Sequence, residues 1–540
     1  MDTVQFGAGF FQMPYFEGDR TEPVYNPRHV APPNTLPRSV SIAGLVAILF
    51  VGFWLRTWGV ESGAPNRMGA DEPIVLSTAV RMMKTGDFNP RFFDYGGLTF
   101  TFHAAVSTIS FLERAMSGRW SSLEQVWFGD FLIATRTATA AVGTLTILLV
   151  YLIGRRWGPR TALVAALVFA VLPPHVRESH FTLTDTPLTF FVALTLLLSI
   201  RATEAKHLRA MVFAGAAIGL TAAIKYNGVV VAVMPALAAL AFPPERRMKA
   251  LVVAACASAA AFLVAAPYTL LDLPAFLNGF AALMQSYNKV RATAWDAAST
   301  YLGHLRNWFG WPNVIPLVFG YVGLGLSLGG LIAAFWRRGA GASLLVPAFP
   351  IVFGIVYFLF ITNQSSLVYG RYALPLAPAL ALGMGVALTA LAEAIESRAA
   401  RLRLIALPAV LLIVVGPLVA SSVAWNVQFS RPLTIDQAAR WVNTRPARGE
   451  IVVIEGTTFV APPRVTLRAV HRLIDKPIET YRAEGVKYLI ASSDVAETYA
   501  GDPAAVTMFR TLLGQAEVVQ TFPPSATHTG PTLTIVKLSN

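Results

Sequence analysis

Apolar runs of about 15–24 residues recur along most of this 540-residue chain, and no other feature constrains its fold as much. Each run is long enough to cross, or nearly cross, a hydrocarbon core about 30 Å thick. Backbone in that core must satisfy its own hydrogen bonds, so each run is expected to be a helix. With 55% of residues hydrophobic and 14% charged, the chain reads as a polytopic all-α membrane protein. Its formal charge of +13 would suit a nucleic-acid binder. The basic residues, however, sit in short clusters between apolar runs, where topological anchors belong, so nucleic acid is not an expected partner. The single cysteine, Cys256, excludes an internal disulfide and thiol metal sites.

Basic clusters set the parity of the crossings. They occur at Arg155-Arg156 with Arg160, at Arg201, Lys206 and Arg209, and at Arg246-Arg247 with Lys249. More follow at Arg337-Arg338 and at Arg398, Arg401 and Arg403. With these inside, spans are predicted near 40–60, 131–153, 161–174, 187–201, 209–224, 227–242, 249–267, 313–336, 343–361, 372–395 and 404–424. Residues 1–39, rich in proline and polar groups, read as a disordered cytoplasmic leader and not as a cleaved signal peptide. The stretch 98–116 is apolar enough to span but more polar than its neighbours. Counted as a crossing it would invert every later loop, so it reads as an interfacial or half-inserted helix within one long external loop, 61–130, the alternative being a true crossing paired with a further one.

After residue 425 the apolar runs shrink to strand length, at 451–454, 487–490, 517–521 and 532–538. Helix-like stretches near 434–444, 463–474 and 495–514 lie between them. This predicts a small extracytoplasmic α/β domain over 425–540.

In a chain that avoids acids, Asp71-Glu72 stands out. Parity places this pair on the same side as Tyr95, Arg177, His180, Asp185, Lys225, Tyr226 and Arg371. Carboxylates beside cations at one membrane face suit a reaction in which a base activates a nucleophile and cations hold a phosphate. Each residue also has a plain structural role open to it. Asp185 precedes Thr186-Pro187 and could be an N-cap. Lys225, Arg371 and Arg136 could snorkel, Glu72 could cap a helix, and His180 has no metal-ligand cluster around it.

The order of these residues adds a further signal. Asp71-Glu72-Pro73, Gly86-Asp87-Phe88-Asn89-Pro90 and Phe93-Asp94-Tyr95 resemble the first external loop of GT-C glycosyltransferases. The likeness is to the bacterial and archaeal branch related to protein O-mannosyltransferases and aminoarabinose transferases. It continues at Gly154-Arg155-Arg156, Thr184-Asp185-Thr186-Pro187, Lys225-Tyr226-Asn227-Gly228 and Gly370-Arg371-Tyr372-Ala373-Leu374-Pro375, covering roughly 40–425.

The resemblance implies a GT-C fold of about 11–13 spans and inverting transfer of a sugar from a polyprenyl-phosphate carrier to an extracytoplasmic acceptor. The membrane would be a prokaryotic inner or plasma membrane. Asp71 matches the catalytic acid of the first loop, with Glu72 beside it, and Asp185 matches the second-loop acid. Lys225 and Arg371 match positions that meet the lipid phosphate, with Tyr226, Tyr95, Arg177 and His180 as further substrate contacts. No cofactor is required, although Asp71 and Glu72 are candidate ligands for a divalent cation. The acceptor, whether protein, glycan or lipid, is left open. Aminoarabinose transferases carry Lys-Pro-Pro where this chain has Tyr95-Gly96-Gly97, which weakens the case for lipid A. A transporter or flippase of lipid-linked sugars is the competing reading, and it requires charges along a path through the spans.

Overall fold

The computed structural model describes residues 36–539 apart from 65–68, 70, 289–292, 311–315, 340–341, 365–367 and 460–463. Most of the expected leader therefore lies outside the described residues. The helices in chain order are α1 Arg38–Thr57, α2 Glu72–Thr85, α3 Gly97–Met116, α4 Leu132–Gly154, α5 Pro159–Ala170, α6 Pro173–Glu178, α7 Asp185–Ala205 and α8 Leu208–Ile224. They continue as α9 Val233–Ala239, α10 Pro244–Ala265, α11 Tyr268–Leu271, α12 Leu273–Asn288, α13 Ala294–Trp308, α14 Pro316–Ala333, α15 Leu345–Gln364, α16 Ala377–Arg398 and α17 Ala406–Phe429.

Among the described residues seven helices are long and apolar enough to cross a membrane, and four shorter apolar helices accompany them. Each of the eleven predicted spans coincides with one of these. α5 and α16 form the middle of the bundle and are buried along most of their length. α14 reaches α16 closely because Gly330 faces Gly383, where a Cβ on either would run into the other helix's backbone. Residues 98–116 form α3, which packs on α2, α4 and α8 and leaves Ile109, Leu112 and Met116 exposed. Sequence reasoning missed α12 and α13 because neither has a long apolar run. The buried side of α13, Ala297, Tyr301, Leu305 and Trp308, nevertheless repeats at helical spacing.

The two groups of charged residues occupy opposite ends of the bundle. Arg156–Glu204 at 2.9 Å, Arg160–Glu396 at 3.1 Å and Arg337–Glu393 join the ends of α4, α7, α5, α14 and α16. The other ends of α4, α7 and the α16 segment carry Arg136, Asp185 and Arg371. A helix the length of α4 separates the two sets by roughly 35 Å.

The C-terminal domain is the expected α/β unit. Its strands are β1 Ile451–Glu455, β2 Thr466–Val470, β3 Val486–Ser492, β4 Glu517–Phe522 and β5 Leu533–Lys537, in the order β2-β1-β3-β5-β4. β1 is parallel to β2 and β3, whereas β5 is antiparallel to β3 and β4. Helix α18, Thr434–Thr444, lies where predicted. The helix expected over 463–474 is instead the edge strand β2, since pairing with β1 overrides local preference. The stretch 495–514 is broken before α21, Pro503–Gly514, where Asp502 caps the helix.

Candidate active site

The chain enters α2 with Glu72-Pro73 at its first two positions and Asp71 as N-cap. Proline suits that place because its missing N–H has no intrahelical partner there. The Asp71 carboxylate makes no capping bond, and accepts instead from Arg371 Nη2 at 2.7 Å. Tyr95 lies beside the same carboxylate. Burial, followed by the charges of Asp71 and Asp185, holds the Tyr95 phenol above its ordinary range.

Asp185 is the first residue of α7, and its carboxylate is buried. It does not cap the helix. Lys225 Nζ donates to it at 2.9 Å, and Arg371 Nε lies 3.9 Å from its other oxygen. The positive end of the α7 dipole adds to the stability of its charge. Lys225 ends α8 in extended conformation and lies 4.6 Å from the Tyr372 ring centroid. Arg371 sits in the 3₁₀ turn Gly370–Leu376, between the rings of Tyr369 and Tyr372. Neither cation snorkels. Arg371 Nε is buried and has no hydrogen-bond partner among the described residues.

Gly96 explains how the first loop reaches this place. Its N–H bonds Ile224 O at 3.1 Å, and a Cβ there would strike the Ala223 carbonyl. The Tyr-Gly-Gly run thereby brings Tyr95 against the end of α8. Tyr226 seals the contact by donating to Tyr95 O at 3.2 Å, with its ring against Phe276 and Phe280. Its hydroxyl is occupied by the loop and is not presented to a substrate.

Glu72 has a different environment. It is fully buried, and Arg136 grips it through Nε at 2.9 Å and Nη2 at 2.7 Å. The N–H groups of Gly69 and Thr182 donate to it at 2.6 and 2.7 Å. Arg136 is thus no snorkelling residue. It also donates to the carbonyls of Val60 and Ser62 and ties three segments together. Four donors surround the Glu72 carboxylate, so Asp71 and Glu72 do not fit a shared divalent cation. Among the described residues no group of three or more His, Cys, Asp or Glu is arranged to hold a metal.

Two further expected contacts separate from the cluster. His180 is buried beneath Trp425 and Phe429, and its ring nitrogens lie 2.8 and 3.1 Å from the carbonyls of Val176 and Trp58. It is a structural residue, and burial pushes its pKa down to about 4. Arg177 donates twice to Glu178, at 2.6 and 2.9 Å. Sequence reasoning gave no role to Glu178, a buried carboxyl raised by desolvation beside Asp185. Its position next to Arg177 was the only signal of a partner.

A cavity of about 420 Å³ with an almost wholly apolar lining lies among α13, α14, α15 and α16 and reaches Leu376, in the same turn as Arg371. Carboxylates, cations and a lipid-like cavity therefore meet at one end of the bundle.

Residues 125–270 match the family of dolichyl-phosphate-mannose-protein mannosyltransferases. An undecaprenyl phosphate-alpha-4-amino-4-deoxy-L-arabinose arabinosyl transferase of Pseudomonas aeruginosa is 32% identical over 169 residues, covering 30% of this chain and 31% of that protein. The match thus spans about a third of that relative's length. A transferase of the same description from Pseudomonas fluorescens is 28% identical over 60% of this chain and 54% of its own. Among solved structures, ArnT from Cupriavidus metallidurans bound to undecaprenyl phosphate superposes with a TM-score of 0.58 at 17% identity, covering 93% of this chain and 98% of that one. The Archaeoglobus fulgidus oligosaccharyltransferase gives 0.50 at 14% identity, covering 92% and 74%. The chain is an integral membrane protein with the GT-C fold, and over part of its length its sequence is similar to the protein mannosyltransferase family and to aminoarabinose transferases.

Proposed function

We propose that this protein transfers a sugar from a polyprenyl-phosphate carrier to an acceptor at the extracytoplasmic face, with inversion at the anomeric carbon. One observation carries the reading: Arg371 links Asp71 and, at longer range, Asp185, which holds Lys225. The carrier's tail lies in the apolar cavity, and its phosphate meets Lys225 and Arg371. The buried Nε of Arg371, 3.9 Å from Asp185 and without a hydrogen-bond partner among the described residues, is a donor available for a phosphate oxygen.

The reaction follows from these placements. An acceptor hydroxyl or amine attacks the anomeric carbon while the bond from that carbon to the phosphate oxygen breaks. Asp71 takes the acceptor's proton, a contribution of about 10²–10⁴-fold. Polyprenyl phosphate leaves with one more negative charge, which the two cations stabilise. Without donor, Asp71 is engaged by Arg371. A donor phosphate that draws Arg371 away frees Asp71, so the base is activated only when there is a sugar to transfer. Asp185 holds Lys225 in place, and Glu72 positions Asp71 by locking the first turn of α2.

The N-terminus is cytoplasmic in this reading, and the C-terminal domain is extracytoplasmic. A transporter is disfavoured because the charges of the site gather at one end of the spans and do not line a path. The test is transfer in vitro from a panel of polyprenyl-phosphate sugars, with Asp71→Asn as control. Full transfer by that variant removes Asp71 from its role. Absence of transfer from every donor, alongside movement of lipid-linked sugar in liposomes, supports transport instead. A reporter fused after residue 430 is expected to read extracytoplasmic.

A further inference from the structure

Beside the Gly370–Leu376 turn lies a cleft of about 940 Å³ with a mixed polar and apolar lining that the donor does not require. α13 contributes Asn307 and Trp308, α17 contributes Trp425 and Gln428, and Tyr369 closes the side next to Arg371. Among the described residues its one charged side chain is Arg177, which Glu178 already engages twice. The cleft is therefore poorly suited to phosphate, unlike the Lys225–Arg371 pair. Ser421 Oγ, on the same wall, is buried without a hydrogen-bond partner among the described residues. An adjoining cavity of about 440 Å³ shares Trp425 and Gln428 and reaches Gly69, two residues from Asp71.

We propose that this cleft binds a carbohydrate acceptor and presents one of its hydroxyls to Asp71. The inference rests on the transfer reaction above and names its second substrate. A sugar ring has an apolar C–H face and a rim of hydroxyls that both donate and accept. Aromatic rings carry a negative face that suits C–H groups, and Asn, Gln and Ser side chains offer donors and acceptors together. The volume lies within the usual range for small-ligand sites. An extended peptide acceptor would call for an open strand edge or a row of alternating pockets, and neither lines this cleft. A lipid tail would need an apolar lining, which belongs to the other cavity.

The test uses the full chain in phosphatidylcholine nanodiscs free of sugar-based detergent. Neutral trisaccharides built from glucose, galactose, mannose or N-acetylglucosamine are offered singly, and binding is read by saturation-transfer NMR. Undecaprenyl phosphate binding is measured in parallel. At least one trisaccharide is expected to bind, and Asn307→Ala and Gln428→Ala each weaken it about tenfold while undecaprenyl phosphate binding is unchanged. Both residues are exposed, so these variants keep the fold. Trp425→Ala is expected to abolish binding, although Trp425 also stacks on Phe429 at 4.6 Å, so its folding is checked separately. Protein that binds undecaprenyl phosphate but no trisaccharide overturns the proposal. So does trisaccharide binding that is indifferent to Asn307, Gln428 and Trp425, or a Ser/Thr-rich peptide bound in their place. Trisaccharide binding without undecaprenyl phosphate binding keeps the cleft's ligand and sinks the transfer reading alone.

Discussion

Asp71 and Glu72 are sequence neighbours, yet they head two ion-pair clusters that share little except charge. The Glu72 cluster is sealed. Its carboxylate is fully buried, Arg136 grips it through two nitrogens, and two main-chain N–H groups complete the set. The Asp71 cluster is partly open. The Asp71 and Arg371 side chains retain 26% and 20% exposure, one Arg371 nitrogen lacks a hydrogen-bond partner among the described residues, and aromatic faces flank the cation. A buried charge with every donor in place resists change, because breaking it strands its partner. An exposed pair with spare donors can trade one anion for another. The first cluster is built for position and the second for exchange.

Four substitutions separate the two clusters, taken from the strongest consequence to the weakest. Asp71→Asn is expected to lower kcat by about 10²–10⁴-fold and to leave the melting temperature nearly unchanged. Glu72→Gln is expected to show the opposite balance. It loses about 3–5 kcal/mol of stability, since Arg136 is left without a buried counter-charge, and thermal unfolding in nanodiscs reads this directly. If the two variants proved alike in both assays, the division of roles would fail. Arg371→Lys keeps the charge but loses the two-pronged geometry, and is expected to cost about 10²–10³-fold in kcat. Normal turnover by that variant would remove the exchange step.

Tyr95→Phe has the smallest expected effect, a loss of about tenfold, in keeping with the loss of one polar neighbour of the Asp71 carboxylate. The Tyr95 phenol is raised, so it stays protonated at and below the ordinary phenol range of about pH 10 and loses its proton only above that. Wild type and Tyr95→Phe should therefore have parallel pH–rate profiles between about pH 6 and 9. An alkaline limb present only in the wild type would show that Tyr95 titrates in the working range.

Particular residues show how far the sequence could be read. The apolar runs located all eleven of these helices among the described residues, because a run long enough to cross a bilayer has few other ways to fold. α12 and α13 escaped because they are amphipathic and gather their buried faces from spaced residues. β2 escaped because an edge strand is decided by its partner β1, which lies elsewhere in the sequence. Asp71, Asp185, Lys225 and Arg371 were each legible as candidates, and the structure brings them into one cluster. Glu72, Tyr226 and His180 were picked for the same reason, their unusual polarity beside a membrane, but they meet protein groups instead.

The sequence by itself determined that the chain lives in a membrane, that its charges divide between two ends, and which polar residues share the end with chemistry. Hydrophobic run length and basic clusters act locally, so they can be read locally. Only the tertiary structure decided that Asp71 would meet Arg371, 300 residues away, while Glu72 met Arg136, 64 residues away. Adjacent residues at the start of a helix project about 100° apart. That rotation turns one carboxylate toward the open cleft and the other into the protein, and no periodicity in the sequence records which partner waits on either side.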